Sequence, residues 1–413
     1  LCLEPADRVP EAGDLLVSVG LAVDLSLSSA LTLLVRVQKP SSIPVSSLHG
    51  RRDDLGQTMR LRVQAVLGPD ELGAFSFRPQ QGVARAVFVQ LGRMQRELEL
   101  EAQANTLLLG GSLTKDAPAS VEVIETALRA TTRLGDLGLR VRELDPQGVL
   151  VVEAVAGLLD DDTVTAARAA ALDAGMPDQS VLTYLANEIR MGERVTPYSL
   201  VTGLDLALLG VSPPAGGAVP PIVLNDWTAE DLDAAVGDRI EVEYFLWEDA
   251  GALLTEVAEF EVAAVIPIAG LAADQDFAPD YPGITEATDV SDWDPPFPID
   301  LELVRDKDED YWDEYRTVAK GFVSLEASQA LWESRWGRVT SLRVAPPAGL
   351  DASATQAFRE SFRSALDPLT AGFVVYPARS LALEASVGVT DFGEYFTYFS
   401  FFLVVTALLL ASL

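Results

Sequence analysis

The sequence predicts an α+β protein built from two similar mixed α/β subdomains, which are joined by a helix plus hairpin segment and followed by a transmembrane helix. Three observations lead to this fold class. Blocks of sequence recur in the same order in the two halves of the chain. Runs with an apolar period of two alternate with stretches of helical pattern. The last eighteen residues carry neither a charge nor a proline.

The two halves of the chain match at four blocks. The apolar positions within each block coincide, and their period-two spacing predicts strands. The matched residues are 33–35 with 240–242, 61–67 with 260–266, 86–95 with 320–329, and 106–108 with 340–342. A helical pattern follows the last block in each half, at 120–134 and 354–366. We therefore expect an internal duplication of a unit of roughly 130 to 160 residues.

The second copy carries two local signals for its first helix and strand. Asn225 or Asp226 is expected to cap a short helix, because side-chain oxygens of these residue types accept hydrogen bonds from the free N–H groups at a helix start. Gly237 and Asp238 are expected to turn the chain into a strand over residues 239–245.

Between the copies, an alanine-rich helix is predicted over residues 163–174. Three aspartates precede it, and their negative charges suit the positive end of the helix dipole. Two extended runs, 181–189 and 193–200, are predicted to form a hairpin around Met191 and Gly192. The predicted domains are residues 1–150 for the first repeat, 151–215 for the connecting helix and hairpin with its Pro/Gly linker, 216–385 for the second repeat, and 386–413 for a stem and the transmembrane helix.

Composition argues against several classes of function. With 62 acidic and 30 basic residues the net charge is −32, which disfavours a nucleic-acid-binding surface. The single cysteine, Cys2, excludes an intramolecular disulfide, and the single histidine, His49, excludes a two-histidine metal site. No G-x-S-x-G motif is present, and Gly110 to Lys115 lacks the second glycine and the Lys-Ser/Thr pair of a phosphate-binding loop. We expect no enzymatic activity, no catalytic, cofactor-binding or metal-ligating residues, and no cofactor.

The most conspicuous polar segment is the acidic, aromatic-rich stretch from Asp274 to Tyr315. Asp306, Asp308 and Asp310 repeat the start of a calcium-binding loop. Tyr311 then replaces the turn glycine, and Thr317 replaces the terminal glutamate. We therefore favour an acidic surface loop fixed by its aromatic residues, or a docking surface, over a metal site.

The uncharged run from Phe396 to Leu413 is long enough to span a membrane, and aromatic residues crowd its start, as they do at membrane interfaces. A buried core helix is the alternative, although such a helix normally keeps a polar face. The chain begins at a leucine and stops inside this run, so we expect it to be a piece of a longer membrane protein.

Several phrases of the sequence resemble the FtsX-like permease family of ABC transporters. They are LVRVQKPSSIP, GRRDD, FSFRPQQG, LTYLANEIR, PYSLVTGL, RDKDEDYW and DFGEYFTYFSFFLVV. Permeases of this family have one membrane helix, a large extracytoplasmic domain, and three further membrane helices. The resemblance implies that most of this chain is that extracytoplasmic domain and that Phe396 to Leu413 begins the second membrane helix.

The resemblance also implies a function and partners. The chain would couple ATP hydrolysis by a separate ABC-type ATPase subunit to movement of an external substrate or partner, in export, lipoprotein handling or control of cell-wall hydrolases. A second permease chain, identical or related, would complete the transporter in the bacterial inner membrane. The proline-free residues 382–396 are expected to continue the membrane helix outward as a lever. The alternative is a membrane-anchored extracellular binding or adhesion protein that uses its acidic loops.

Overall fold

The computed structural model describes residues 9–27, 31–40, 56–78, 82–109, 112–114, 117–118, 120–145, 147–212, 217, 219–248, 252–295, 297–387 and 392–412. The chain divides into two compact units. Unit 1 contains Leu1–Pro40, Asp54–Ala127 and Val374–Leu413, and unit 2 contains Ser41–Asp53 and Leu128–Phe373.

The structure is mixed α/β. The first elements are β1 (Asp14–Ser18), α1 (Val19–Asp24), β2 (Thr32–Gln38), β3 (Gly56–Leu67), β4 (Val87–Val89), α2 (Leu91–Glu97), β5 (Ser112–Thr114), β6 (Ala117–Pro118) and α3 (Val121–Thr131). Next come β7 (Leu139–Leu144), β8 (Val149–Ala154), α4 (Asp161–Asp173), β9 (Asp178–Met191), β10 (Arg194–Leu204), β11 (Pro221–Asn225), α5 (Asp226–Leu232), β12 (Arg239–Trp247) and β13 (Leu253–Ile266). The last are α6 (Asp306–Tyr315), β14 (Gly321–Ser324), α7 (Leu325–Trp332), β15 (Ser341–Val344), α8 (Ala352–Ala365), α9 (Ala378–Val387) and α10 (Phe392–Ser412).

Unit 1 is organised around a four-stranded sheet with the order β2-β3-β1-β4. Strand β1 runs parallel to β3 and antiparallel to β4, and β2 runs antiparallel to β3. The apolar residues of β1 and alternate residues of β3 point into one core, which includes Leu15, Val17, Met59, Leu61 and Val63. This alternation on β3 is the period-two pattern expected of a half-buried strand.

Unit 2 contains a closed six-stranded barrel. Its strands follow the order β10-β14-β11-β13-β12-β9, and an additional pairing between β9 and β10 closes the ring. Inward-pointing residues of all six strands share one core with α5 and α7, and Tyr184 and Trp332 stack in it at a ring-centroid distance of 5.0 Å. Closure removes the free edges that an open sheet would present.

Strand β9 extends beyond the barrel and carries a second layer of unit 2. Its first residues pair with β15, which is followed in the sheet by β8 and β7. Helices α4 and α8 pack over this part of the sheet, where Ala167, Leu342, Phe358 and Phe362 are fully buried. The two phenylalanines are one helical turn apart on α8, so both face this core.

The middle segment confirms the predicted helix and hairpin. Helix α4 begins at Asp161, and the Asp160 carboxylate caps it by accepting a hydrogen bond from Thr163 N at 2.8 Å. Strands β9 and β10 form a long hairpin whose turn includes Gly192, with φ +63°. Glycine adopts this left-handed conformation without a Cβ clash, which explains the turn at this position.

Two predictions differ from the structure. Residues 106–108, matched with 340–342, form no strand, and Leu107 is 81% exposed. The predicted domain boundaries at 150 and 215 do not coincide with the two units, because β7, β8 and the hairpin share one sheet with the strands of the second half. The hairpin is therefore part of the barrel wall.

Candidate functional site

The segment from Asp274 to Tyr315 forms a folded layer on the outside of the barrel. It consists of short 3₁₀ helices and α6, and its aromatic residues turn inward against Leu185 of β9 and Leu200 of β10. The buried side chains of this layer are Ala278, Tyr281, Ile284, Val290, Trp293, Phe297 and Trp312. Tyr281 also donates a hydrogen bond to the Thr183 carbonyl at 3.1 Å. The segment is thus a packed layer fixed by its aromatic residues, as the sequence predicts, although it consists of short helices and not of one loop.

The three aspartates of the calcium-like motif lie on α6 and do not form a loop. Asp308 is buried, and its carboxylate accepts hydrogen bonds from the Arg305 guanidinium at 2.7 and 2.8 Å. Within the described ranges, no three His, Cys, Asp or Glu residues are grouped so that they could hold a metal ion. Asp308 serves an ion pair that fixes the start of α6.

A buried ionic cluster joins α6 to the barrel. The Asp231 carboxylate on α5 is 2% exposed and accepts a hydrogen bond from Arg305 Nη2 at 2.8 Å. Thr196 Oγ1 of β10 donates to the same carboxylate at 2.6 Å, and Lys307 also pairs with it. Because one buried carboxylate is held by three donors, its charge is compensated.

Lys320 lies next to this cluster, immediately before β14. Its ammonium Nζ is 4.9 Å from the ring centroids of both Trp227 and Tyr311. It donates to the Pro197 carbonyl at 3.4 Å and lies 3.9 Å from Asp308 Oδ1. Two aromatic faces and a distant carboxylate therefore replace the water that would otherwise solvate this cation.

Burial lowers the pKa of Lys320 to about 8, because the charged form is poorly solvated, and Asp308 only partly offsets this effect. The positive charges of Arg305 and Lys307 lower the pKa further. Lys320 and Trp293 also line a cavity of about 30 Å³, which is large enough for a water molecule. The group is suited to a positioning role between α5, α6 and β14.

We expect the free energy of unfolding of unit 2 to increase by about 3 kcal/mol as the pH rises from 8 to 10.5, through Lys320 alone. Above 10.5 the amine is neutral in both states, and below 8 it is charged in both, so the full cost of burying the ammonium applies only at the lower pH. All six tryptophans lie in unit 2, so tryptophan fluorescence during urea unfolding reports on this unit.

The control is Lys320→Met, which keeps the length of the side chain without its charge. Tyrosines that are exposed in the unfolded state ionise near pH 10 in both proteins, so the difference between wild type and variant isolates Lys320. Parallel stability profiles of the two proteins over this pH range would contradict the prediction.

A large cavity of about 1180 Å³ opens where β10 ends and β11 begins. Aliphatic residues and prolines together make up just over half of its lining, including Leu204, Leu208, Val219 and Val262, and Arg343 is one of the polar residues at its wall. Its size and lining suit a ligand with a mainly apolar surface.

Helix α10 is the one helix of the described chain that is long and apolar enough to cross a membrane. Its candidate span is Gly393–Ser412, with a mean hydropathy of 1.8, and none of it is buried. Tyr395, Phe396, Tyr398 and Phe399 are all exposed near its start. A helix that is apolar on every side and covered by nothing suggests membrane anchoring, and the alternative of a buried core helix is wrong.

Other residues considered from the sequence take no part in these sites. Cys2 and His49 lie outside the described residues, as do Gly110 and Lys115 of the glycine-containing stretch. Sequence reasoning missed Asp231 and Lys320. No sequence signal links them, because Asp231 lies on α5 and Lys320 immediately before β14, and each contacts the start of α6 only in the folded protein.

No protein-family model matches the sequence, and no curated protein is detectably similar to it.

Proposed function

We propose that the chain is the extracytoplasmic domain of an FtsX-like ABC transporter permease in the bacterial inner membrane. It would transmit the motion of a separate ATPase subunit to an external substrate or partner. The observation that carries this proposal is the exposed apolar helix α10, which comes last in a chain whose other described residues form folded, acid-rich units. The sequence phrases that resemble the family support the same reading.

We also propose that the two halves of the chain arose by duplication. Strand order β2-β3-β1-β4 in unit 1 has its counterpart in β12-β13-β11-β14 of unit 2. Strand β1 runs parallel to β3, and β11 runs parallel to β13. In each parallel pair the register shifts by one residue, between Leu15 and Leu16 in β1 and between Ile222 and Val223 in β11. The antiparallel partners also correspond, since Leu16 faces Phe88 and Val223 faces Phe322.

The proposed lever consists of two described helices, α9 and α10. Residues 388–391 between them lie outside the described residues, so a continuous helix over 382–396 stays a prediction. A proline pair introduced near Val387 should uncouple ATP turnover from movement of the extracytoplasmic domain if this segment transmits force.

The test of the proposed function is affinity purification of the full-length protein from bacterial membranes. Recovery of a stoichiometric ATPase subunit, with ATP hydrolysis that depends on the complex, would support the transporter. Recovery of the chain without an ATPase would favour the alternative, a membrane-anchored binding protein. In that case the exposed carboxylates of the outer layer, such as Asp280, would be the first candidates for ligand contact.

Replacing Leu403 with arginine is expected to reduce membrane insertion of α10. Leu403 lies near the centre of the span and is 57% exposed, and an arginine at a helix centre costs about 2.5–3.5 kcal/mol on insertion scales. The measurement is the fraction of protein that remains in membranes after alkaline extraction. Tyr395→Arg, at the interfacial end, is the matched control and should have a smaller effect, and equal retention of all three proteins would contradict the prediction.

A further inference from the structure

The four-stranded sheet of unit 1 has two edges that its counterpart in unit 2 does not leave open. In unit 2, β12 pairs with β9 and β14 pairs with β10, so the hairpin β9–β10 closes the sheet into a barrel. In unit 1, β3 is the one strand paired with β2, and β1 is the one strand paired with β4, among the residues that the structure describes. As far as the structure describes unit 1, the sheet there lacks the hairpin that completes its counterpart.

The outward hydrogen-bonding groups of β2 can be assigned from its pairing with β3. Val63 N donates to Leu31 O at 2.8 Å, and such bonded pairs alternate along an antiparallel ladder. The backbone groups of Leu34 and Arg36 therefore point to the free edge. Their counterparts in unit 2, Glu241 and Glu243, are the residues that face β9.

The apolar side chains of unit 1 are also less buried than those at corresponding positions of unit 2. Val35 of β2 is half-buried, whereas Val242 of β12 is fully buried against the completed barrel. Leu33 of β2 is likewise half-buried, whereas Ile240 of β12 is fully buried in the barrel core. The missing strands would cover the remaining apolar surface.

The charge beside the open edge differs in sign between the units. In unit 2, Glu243 lies 3.7 Å from Arg190 of the neighbouring strand β9. In unit 1 the corresponding residue is Arg36, and Arg60 of β3 is exposed on the same face, opposite Leu34. No carboxylate of the described residues pairs with Arg36 or Arg60. The two exposed guanidinium groups make this face locally positive, so it attracts acidic side chains.

We propose that unit 1 binds an extended segment of another polypeptide, which adds antiparallel to β2 and alternates apolar with acidic residues. Its apolar residues would lie beside Val35, and its acidic residues beside Arg36 and Arg60. Backbone hydrogen bonds to Leu34 and Arg36 would supply affinity, and the alternating side chains would supply specificity. This binding does not depend on whether the chain works with an ATPase.

The test uses the full chain in mild detergent and two fluorescent seven-residue peptides. One alternates glutamate with isoleucine and valine, and the other carries lysine in place of each glutamate. We expect fluorescence anisotropy to detect binding of the glutamate peptide and to show about tenfold weaker binding of it to Arg36→Glu, because cross-strand attraction becomes repulsion. The lysine peptide should prefer Arg36→Glu.

Leu34→Pro removes an edge N–H without removing a hydrogen bond between β2 and β3, so it should abolish binding while circular dichroism stays unchanged. Leu34→Ala, which keeps the N–H, is the matched control and should bind the peptide. Equal binding of the two peptides by wild type, or full binding by Leu34→Pro, would overturn the proposal. A dimer of the chain alone that Leu34→Pro dissociates would also overturn it, and would assign the edge to a second copy of this chain.

Discussion

Replacing Asp274 with alanine is expected to lower the free energy of unfolding of unit 2 by about 3–5 kcal/mol, because it leaves a buried arginine without its counterion. Asp274 Oδ2 lies 2.7 Å from Arg343 Nη1, and the two side chains are 2% and 5% exposed. Arg343 is held over the Phe277 ring at 4.0 Å, and its Nε and Nη2 have no hydrogen-bond partner in the described part of the chain. Asp274 is therefore the one carboxylate paired with this guanidinium among the described residues.

The double variant Asp274→Ala/Arg343→Met should recover most of the loss, because an apolar side chain of similar length removes the unpaired charge. The matched control is Glu259→Ala. Glu259 pairs with Arg239 at 3.0 Å, but both side chains are about half exposed, so we expect a cost below about 1 kcal/mol. Urea unfolding followed by tryptophan fluorescence measures all three. A cost for Asp274→Ala as small as that for Glu259→Ala would contradict the prediction.

Strands whose faces differ in polarity could be predicted from the sequence, and strands buried on both faces could be predicted only in part. On β3 and β13 the alternation is clear, and the matched blocks locate both strands correctly. Residues 180–186 of β9 are all buried, because this strand lies between the barrel core and the outer layer. The sequence predicts such a strand as one half of a hairpin, here with β10. Nothing in its apolar pattern identifies its second neighbour, β12.

The failed match at residues 106–108 has a related cause. In unit 2, the corresponding short strand β15 lies between β8 and β9, which satisfy its backbone on both sides. No such neighbours flank residues 106–108 in the described part of unit 1. A run of a few apolar residues forms a strand only where a partner ladder exists, so pairing decides the outcome and sequence similarity does not.

The acidic outer layer illustrates a limit of composition. Counting carboxylates between Asp274 and Tyr315 predicts exposure, and many of these side chains are exposed. Trp293 and Trp312 nevertheless pack together at a ring-centroid distance of 4.9 Å and form the core of the layer. The aromatic residues, which are fewer than the acids, decide how the segment folds because they bury the most apolar surface.

Asn225→Ala is expected to lower the free energy of unfolding of unit 2 by about 2–4 kcal/mol, because one buried amide serves both a helix cap and two contacts, to α6 and to the segment before β14. Asn225 Oδ1 accepts a hydrogen bond from Thr228 N at 2.8 Å and so caps α5. Its Nδ2 donates to the Ala319 carbonyl at 3.1 Å and to the Tyr311 hydroxyl at 3.0 Å. Of the two residues that the sequence predicts as candidate caps, Asn225 is the N-cap of α5 and Asp226 is not.

Serine at this position should cost about half as much as alanine, because unit 1 uses serine for the same purpose. Ser18 Oγ accepts from Leu21 N at 3.4 Å and donates to the Ala84 carbonyl at 2.8 Å. Asn225→Ser therefore keeps the cap and one donor and loses the contact with the Tyr311 hydroxyl. Asp226→Ala is the matched control, and its exposed carboxylate should cost below about 1 kcal/mol. If serine destabilises unit 2 as much as alanine does, the two capping residues are not equivalent, and the proposed duplication loses one of its supports.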